Sequence, residues 1–179
     1  MIYIDLGAYN GDTVEQFINW GQLLGDLHEC LVYGFEPNPN FKDSWDDIIA
    51  RQSQHVKHME FINKAAWIDD EGIELSIYEN PTGSSLMPDK RDYEKGKLMR
   101  VETFDFSKWL RTLDDKEIYI KFDIEGSEYP ILKKMIADGT DRRPKLCMVE
   151  WHGTKMNAGF MEDQKFIEEN LKCQLVEWR

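Results

Sequence analysis

Cysteine is scarce in this chain, whose 179 residues include only Cys30, Cys147 and Cys173. No two of them form a C-x-x-C pair and their number is odd, so the sequence supports neither a zinc ribbon nor a disulfide framework. Cys30 and Cys147 lie among strand-like apolar residues, which predicts buried free thiols. Because free thiols are typical of a reducing compartment, we expect a cytoplasmic protein.

Long apolar runs and a secretory leader are also missing. Runs such as Leu31-Val32-Tyr33 are far shorter than the roughly 18 residues that a membrane span requires. The opening residues, MIYID, show no basic segment followed by an apolar one, so we expect no secretory signal. We therefore expect no association with the membrane.

Basic residues are too few for a partner rich in phosphate. Lysine and arginine total 22 against 34 acidic residues, which gives a net charge of −12. A protein that follows a phosphate backbone needs a basic face, so nucleic acid is excluded as the main partner. An acidic membrane surface is excluded on the same ground, and a small or neutral ligand remains.

The sequence does contain apolar strand-like runs that alternate with amphipathic stretches. Strands are predicted at residues 2–6, 31–35, 56–62, 118–122, 146–151 and 173–178. Because helical stretches separate them, the pattern predicts an α/β fold with a doubly wound, mostly parallel sheet. The length predicts a single domain over residues 1–179. Asp12 and Glu15 have the spacing of a capping box before the first helix.

The middle of the chain has a different pattern. Residues 65–68 and 73–78 flank a turn that ends in Gly72, which predicts a β-hairpin inserted after the third strand. Residues 88–100 are polar and predict an exposed loop. Its basic residues, Lys90, Arg91, Lys95, Lys97 and Arg100, have two interpretations: a solvated loop, or a lid over an anionic or hydroxyl-rich substrate.

Small and polar residues follow each predicted strand, where doubly wound sheets bind ligands. Gly7 and Gly11 follow the first strand and precede a helix, whose free N–H groups attract electron-rich ligand atoms. The spacing is not G-x-G-x-x-G, which favours a ligand without a pyrophosphate. An ordinary tight turn is the alternative.

A carboxylate, Glu36, ends the second strand. At this position a carboxylate can accept hydrogen bonds from the two vicinal hydroxyls of a ribose. The distance from Gly7 is 29 residues instead of the usual roughly 20, and we place the excess in residues 21–29. A solvent-exposed acid at a strand end is the alternative.

Titratable residues cluster after the fourth predicted strand and at the end of the fifth. Asp123, Glu125 and Glu128 fall within six residues, and they repel one another unless a sulfonium, an amine or a divalent metal lies close. Glu128 has an alternative role at a helix N-terminus. Glu150 and His152 alternate along the chain and point to one side if the strand continues, so the carboxylate could orient the histidine as a base.

Together these motifs resemble the FkbM-type methyltransferases, which are S-adenosylmethionine-dependent proteins of the class I, Rossmann-like fold. The resemblance rests on five segments. They are residues 4–13 (IDLGAYNGDT), 34–37 (GFEP), 65–67 with Gly72 and 84–86 (SSL), 121–128 (KFDIEGSE) and 144–152. The segment KFDIEGSE is the most specific of them.

The resemblance implies S-adenosylmethionine as the cofactor. It assigns Glu36 to the ribose hydroxyls, Pro37 and Asn38 to the adenine, and Asp123 to the cationic end of the cofactor. Ala65 and Ala66 would flank the adenine. The methionine portion is assigned to Asp5, Gly7, Ala8, Tyr9, Asn10, Gly11 and Thr13.

The resemblance also implies transfer of the methyl group to a hydroxyl of a sugar or other small molecule. His152 is the first candidate for the base, with Glu125 and Glu150 as alternatives. A Mg²⁺ ion on Asp123, Glu125 and Glu150 is ranked below a metal-free mechanism. Few residues follow His152, so the acceptor pocket is expected to be open or to be completed by a second subunit of a homo-oligomer.

Two other classes of protein stay open at this point. The first is a non-catalytic relative that binds the cofactor without transferring a methyl group. The second is a nicotinamide-dependent oxidoreductase, because Tyr129 and Lys133 have the Y-x-x-x-K spacing. The glycine pattern argues against the second class.

Overall fold

The computed structural model describes residues 1–25, 27–78, 83–88, 90–91, 96–156 and 160–178. Six strands form its central sheet, and every neighbouring pair is parallel. They are β1 (Ile2–Leu6), β2 (Leu31–Phe35), β3 (His58–Ile62), β8 (Ile118–Phe122), β9 (Pro144–Val149) and β10 (Gln174–Glu177). Their spatial order is β10-β9-β8-β1-β2-β3, which is the order of a doubly wound sheet with its reversal between β1 and β8. The predicted fold class is thereby confirmed.

Five helices cover the two faces of this sheet in the described residues. They are α1 (Asp12–Leu24), α2 (Lys42–Gln52), α3 (Phe106–Leu110), α4 (Glu128–Asp138) and α5 (Met161–Asn170). Side chains alternate along β1, so Ile2 and Ile4 pack with α3, α4 and α5, whereas Tyr3 packs with α1 and α2. Burial on both faces explains why the strands are nearly continuous apolar runs.

Four further strands lie between β3 and α3, and they pair differently from the prediction. These are β4 (Ala65–Trp67), β5 (Ile73–Ile77), β6 (Lys97–Val101) and β7 (Thr103–Asp105). β5 pairs with β6 in antiparallel orientation, and β4 pairs with β7 in parallel. The predicted hairpin between residues 65–68 and 73–78 is therefore wrong, because each strand finds its partner about 25 to 40 residues further along the chain.

The predicted loop over residues 88–100 is wrong in its last part, and residues 89 and 92–95 lie outside the described residues. Residues 97–101 form β6, which places Met99 beside Leu75 and buries Val101. Lys95 lies outside the described residues.

The helix starts differ from the predicted caps. Gly11 is the N-cap of α1, and Glu15 receives hydrogen bonds from Arg51 and Gln52 instead of closing a capping box. The side chain of Asn10 accepts from the Asp12 N–H at 3.2 Å. A neighbouring side chain has therefore replaced the predicted cap.

The expectations about the cysteines and about membrane-spanning segments can be compared with the structure. Cys30 and Cys147 are buried free thiols, as predicted. None of the helices in the described part of the chain combines the length and apolar character that crossing a bilayer requires. The single domain over residues 1–179 stays a prediction.

Candidate functional site

A cavity of about 310 Å³ opens at the β1–β8 switch point, where the carboxyl ends of parallel strands meet. Most of the predicted site residues line it. They are Gly7, Ala8, Tyr9, Asn10, Thr13, Glu36, Pro37, Ala65, Ala66, Asp123 and Glu125. The topology brings together residues that are as far as 118 positions apart in the sequence.

The glycine loop after β1 lies against the backbone that follows β8. Gly7 has φ +78°, and a Cβ at this position would stand 1.8 Å from the Asp123 carbonyl oxygen. The N–H groups of Gly7 and Ala8 both donate to the Phe35 carbonyl at 3.1 Å. Only glycine permits this approach, so the first glycine of the motif positions two strand ends against each other.

Glu36 forms the wall of the cavity beside this loop. The Tyr9 N–H donates to Glu36 Oε2 at 3.0 Å, and the Asn38 N–H donates to Oε1 at 2.9 Å. The side chain is only 8% exposed. Burial raises the pKa of Glu36 to about 7, although both N–H donors act to lower it. Each carboxylate oxygen keeps a lone pair for a further donor.

Three of the predicted cofactor residues that the structure describes do not line the cavity. They are Asp5, Gly11 and Asn38. Gly11 caps α1, and its carbonyl accepts from the Glu15 N–H. Asn38 is fully buried behind Glu36, and its side chain accepts from the Asn40 N–H. Their contacts with a cofactor stay predictions.

Asp5 is fully buried beneath the cavity and acts through two neighbours. Its carboxylate lies 3.1 Å from Lys121 Nζ and accepts from the Thr13 hydroxyl at 2.5 Å. Lys121 also lies 3.3 Å from Asp123. Burial acts to lower the pKa of Lys121, but Asp5 and Asp123 raise it above its usual value. The ammonium group of Lys121 therefore stays charged at the edge of the cavity.

Several lining residues were absent from the predicted set: Asp12, Phe35, Leu75, Ser84, Leu86, Lys121, Ile124 and Ser127. Lys121 and Ser84 stand inside the segments that carry the family resemblance, and that position was the only signal for them. Ser85 ties the inserted strands to the site, because its hydroxyl donates to the Glu125 carbonyl at 2.7 Å. Phe35 also stands inside such a segment, whereas Leu75 carries no sequence signal beyond being apolar.

Glu125 also lines the cavity, and its backbone is left-handed, with φ 51°. Its carboxylate is 2.8 Å from Lys90 Nζ and 3.0 Å from Lys155 Nζ. Burial acts to raise the pKa of Glu125, but His152, Lys90 and Lys155 together hold it below its usual value. A strained, doubly ion-paired carboxylate at a cavity wall is typical of a functional site.

The position of Lys90 fits neither of the two interpretations given for the basic segment. Its side chain is buried, and its ammonium group contacts the Gly83 carbonyl as well as Glu125. Residue 90 also forms a β-bridge with Met156. Arg100, in contrast, lies on β6 and donates to the Glu71 carbonyl. Lys90 is thus a structural partner of the site, neither a solvated residue nor part of a free lid.

His152 lies behind the cavity wall instead of lining it. Its side chain is 1% exposed, and Nδ1 lies 2.9 Å from Glu128 Oε1. Nε2 lies 3.4 Å from Glu150 Oε1, 3.6 Å from Glu125 Oε1 and 3.7 Å from Asp123 Oδ1. Burial acts to lower the pKa of His152, but Glu128 and Glu125 raise it.

Glu150 also does not line the cavity, although it neighbours His152 as predicted. Its side chain is 35% exposed. Burial, together with Asp123, raises the pKa of Glu150. The predicted catalytic residues therefore do gather in one cluster, and Asp123 and Glu125 are the members that face the cavity.

The sheet and the cavity together define an α/β protein with a cavity at the switch point of a doubly wound fold. The model of the methyltransferase FkbM domain matches residues 5–174, and the chain belongs to that family. No curated protein matches the chain.

A solved structure has a similar fold. It is the crystal structure of methyltransferase FkbM from Methylobacillus flagellatus, with a TM-score of 0.59 and 16% sequence identity. The match covers 94% of this chain and 36% of that one, so this chain spans about a third of that protein's length.

Proposed function

We propose that the protein is an S-adenosylmethionine-dependent methyltransferase that methylates a hydroxyl of a small molecule such as a saccharide. The observation that carries this proposal is the contact between the glycine loop and Glu36. The Tyr9 N–H donates to the Glu36 carboxylate at 3.0 Å, and both residues line the same cavity. A loop for the amino-acid portion and an acceptor for the ribose hydroxyls therefore lie side by side.

The walls of the cavity suit the parts of this cofactor. The free lone pairs of Glu36 can accept hydrogen bonds from both ribose hydroxyls. Phe35, Pro37, Ala65 and Ala66 offer apolar surface for the adenine. Asp123 lines the cavity beyond the glycine loop, where its negative charge favours the sulfonium.

The reaction is an in-line displacement. A lone pair of the acceptor oxygen forms the new bond to the methyl carbon, and the carbon–sulfur bond breaks with its electron pair on sulfur. The hydroxyl proton leaves toward the carboxylate–imidazole cluster of Asp123, Glu125, Glu150 and His152. The protein contributes mainly by holding the two reactants aligned, for which effective molarities can reach about 10⁵–10⁸ M.

The test is calorimetric titration with S-adenosylhomocysteine, with NAD in parallel. We expect S-adenosylhomocysteine to bind and NAD not to bind. Glu36→Ala should weaken binding about 10- to 100-fold, because the hydrogen bonds from both ribose hydroxyls are lost. Glu60→Ala is the matched control, since it removes an exposed carboxylate on β3.

Equal affinities in the two variants would refute the ribose assignment, and binding of NAD alone would favour an oxidoreductase. Transfer itself is measured with S-adenosylmethionine carrying a labelled methyl group and a panel of sugars and other hydroxyl compounds. Tight binding of the cofactor without transfer to any of them would indicate the non-catalytic relative.

A further inference from the structure

We propose that Asp123, Glu125 and His152 form a binding site for a divalent first-row transition-metal ion. The site would lie in the part of the cavity wall that Asp123 and Glu125 form. Its ligand atoms are Asp123 Oδ1, Glu125 Oε1 and His152 Nε2. The role of the ion in catalysis rests on the proposed function, whereas the binding of the ion does not.

The three ligand atoms are already close enough to share an ion. They lie within 4.8 Å of one another, and Nε2 is 3.6 Å and 3.7 Å from the two oxygens. An ion with bonds of about 2.0–2.2 Å holds its ligands roughly 3.0–3.6 Å apart. Shifts of about 1 Å or less in each side chain would complete the coordination.

The independent observation is the unpartnered ring nitrogen of His152. Nε2 is out of contact with solvent and has no hydrogen-bond partner among the described residues. It nevertheless points at oxygens of three carboxylates, those of Asp123, Glu125 and Glu150. A buried nitrogen without a partner is costly, so a group that belongs between these atoms is expected.

The other ring nitrogen has a fixed partner. His152 Nδ1 lies 2.9 Å from Glu128 Oε1, and the Glu128 carboxylate also accepts from the Ile124 N–H at 2.8 Å and from the Gly126 N–H at 2.9 Å. This contact orients the ring so that Nε2 points at Asp123, Glu125 and Glu150. A carboxylate behind a histidine is the usual arrangement around a metal-bound imidazole.

Burial also argues against direct proton abstraction by His152. A hydroxyl in the cavity meets Asp123 and Glu125 before it could reach the buried Nε2. An ion held by these two residues and by His152 would face the cavity, and a hydroxyl bound to such an ion loses its proton more readily. Glu150, 3.4 Å from Nε2, would then lie beside the ion.

The donor set indicates the class of ion. Mg²⁺ and Ca²⁺ prefer oxygen ligands alone, whereas an imidazole with two carboxylates suits Mn²⁺, Fe²⁺ or Zn²⁺. This differs from the Mg²⁺ site on Asp123, Glu125 and Glu150 that was considered from the sequence. The difference is His152, which the tertiary structure directs at the acidic residues.

The first experiment measures Mn²⁺ binding to the chelator-treated full chain by electron paramagnetic resonance of the free ion. We expect one Mn²⁺ per chain. Asp123→Asn, which keeps the size of the side chain, should weaken binding at least tenfold. The matched control is Glu60→Gln, because Glu60 lies 3.3 Å from the exposed His58 Nε2 and forms a comparable pair outside the site. This control should bind Mn²⁺ as the wild type does.

The second experiment tests the nitrogen ligand directly. Electron–nuclear double resonance of the Mn²⁺ complex should show one coupled ¹⁴N nucleus, and His152→Gln should abolish that coupling. Zn²⁺ should displace Mn²⁺ from the wild type with one-to-one stoichiometry. The melting temperature verifies that each variant is folded.

Absence of Mn²⁺ and Zn²⁺ binding would overturn the proposal, and so would equal Mn²⁺ affinity in the wild type and Asp123→Asn. A protonated Nε2 would then be the partner of the three carboxylates. If S-adenosylhomocysteine still binds in that case, the proposed function survives and only the metal site fails. Failure of S-adenosylhomocysteine to bind would refute the proposed function, whatever the result with Mn²⁺.

Discussion

Glu36 and Glu125 line the same cavity and have the same exposure of 8%, yet their pKa values shift in opposite directions. The pKa of Glu36 is raised by burial to about 7. Burial acts on Glu125 as well, but His152, Lys90 and Lys155 lower its pKa below the usual value. The difference lies in the partners, which are two neutral N–H groups for Glu36 and charged side chains for Glu125.

The comparison shows that burial alone does not decide the charge of a carboxylate. Glu36 is held by backbone N–H groups and keeps free lone pairs for a ligand. Glu125 is held ionised by Lys90 and Lys155. Glu36 is therefore suited to accept hydrogen bonds from a ligand, and Glu125 is suited to carry negative charge toward a cation.

The largest effect is expected when an ion pair of Glu125 is removed. Lys90→Met removes the ammonium group 2.8 Å from Glu125 and leaves a buried carboxylate with fewer counter-charges. We expect a loss of about 3–5 kcal/mol in the free energy of unfolding, as for other buried pairs that lose one partner. Urea denaturation at neutral pH measures it.

The matched control is Lys145→Met, which breaks an exposed pair with Glu117 at 2.5 Å. Exposed pairs contribute little to stability, so its loss should be much smaller. Similar losses in the two variants would show that Lys90 does not hold Glu125 in the way described.

A smaller effect is expected when the glycine loop is forced away from the end of β8. Gly7→Ala places a Cβ 1.8 Å from the Asp123 carbonyl at φ +78°, so the loop beside Glu36 must move away from the end of β8. The combined cost of the backbone conformation and the clash should be about 2–4 kcal/mol. Chemical denaturation and S-adenosylhomocysteine titration measure the two consequences.

Gly139→Ala separates the two causes. Gly139 has φ +69° and no atom within 4 Å of the added Cβ, so this variant carries the backbone cost without the clash. Its unfolding free energy should fall by about 1 kcal/mol, with unchanged affinity for S-adenosylhomocysteine. If Gly7→Ala were no more harmful than Gly139→Ala, the close approach of the two strand ends would be unimportant.

The smallest effect concerns the titration of Glu36. Its pKa rises from 4.5 to about 7 on folding, so between these values the folded state binds the proton that the unfolded state has released. Stability from this group therefore falls as pH increases through that window. We expect a loss of about 1–2 kcal/mol between roughly pH 5 and pH 6.5.

The difference between wild type and Glu36→Gln isolates this contribution, because the glutamine side chain has no titratable proton to gain or lose. The wild type should become less stable relative to Glu36→Gln as pH rises, and Glu60→Gln should keep the wild-type slope. Parallel stability curves for wild type and Glu36→Gln would contradict the raised pKa.

Local patterns predicted much of this molecule. The apolar runs of β1, β2 and β8 identify the sheet because burial on both faces requires them. Gly7 and Glu36 were identified because a turn and a strand end are properties of a few adjacent residues. The burial of Asp5 beneath the cavity could not be predicted, because spacing does not show whether a side chain faces the cavity or the layer beneath it.

Long-range pairing could not be predicted in the same way. The partner of β5 is β6, and Lys90 finds Glu125 at a separation of 35 residues. Neither pairing leaves a local signal, because each depends on how separate segments fold over the end of the sheet. The hairpin and the exposed loop were wrong for this reason.

The sequence by itself determined the alternation of strands and helices, and with it the edge of the sheet where polar residues gather. Side-chain periodicity and turn chemistry are local, so they can be recognised one segment at a time. Only the tertiary structure decided that His152 lies behind the cavity wall and that Lys90 forms an ion pair with Glu125. These facts depend on distances between atoms of remote segments, which no spacing along the chain records.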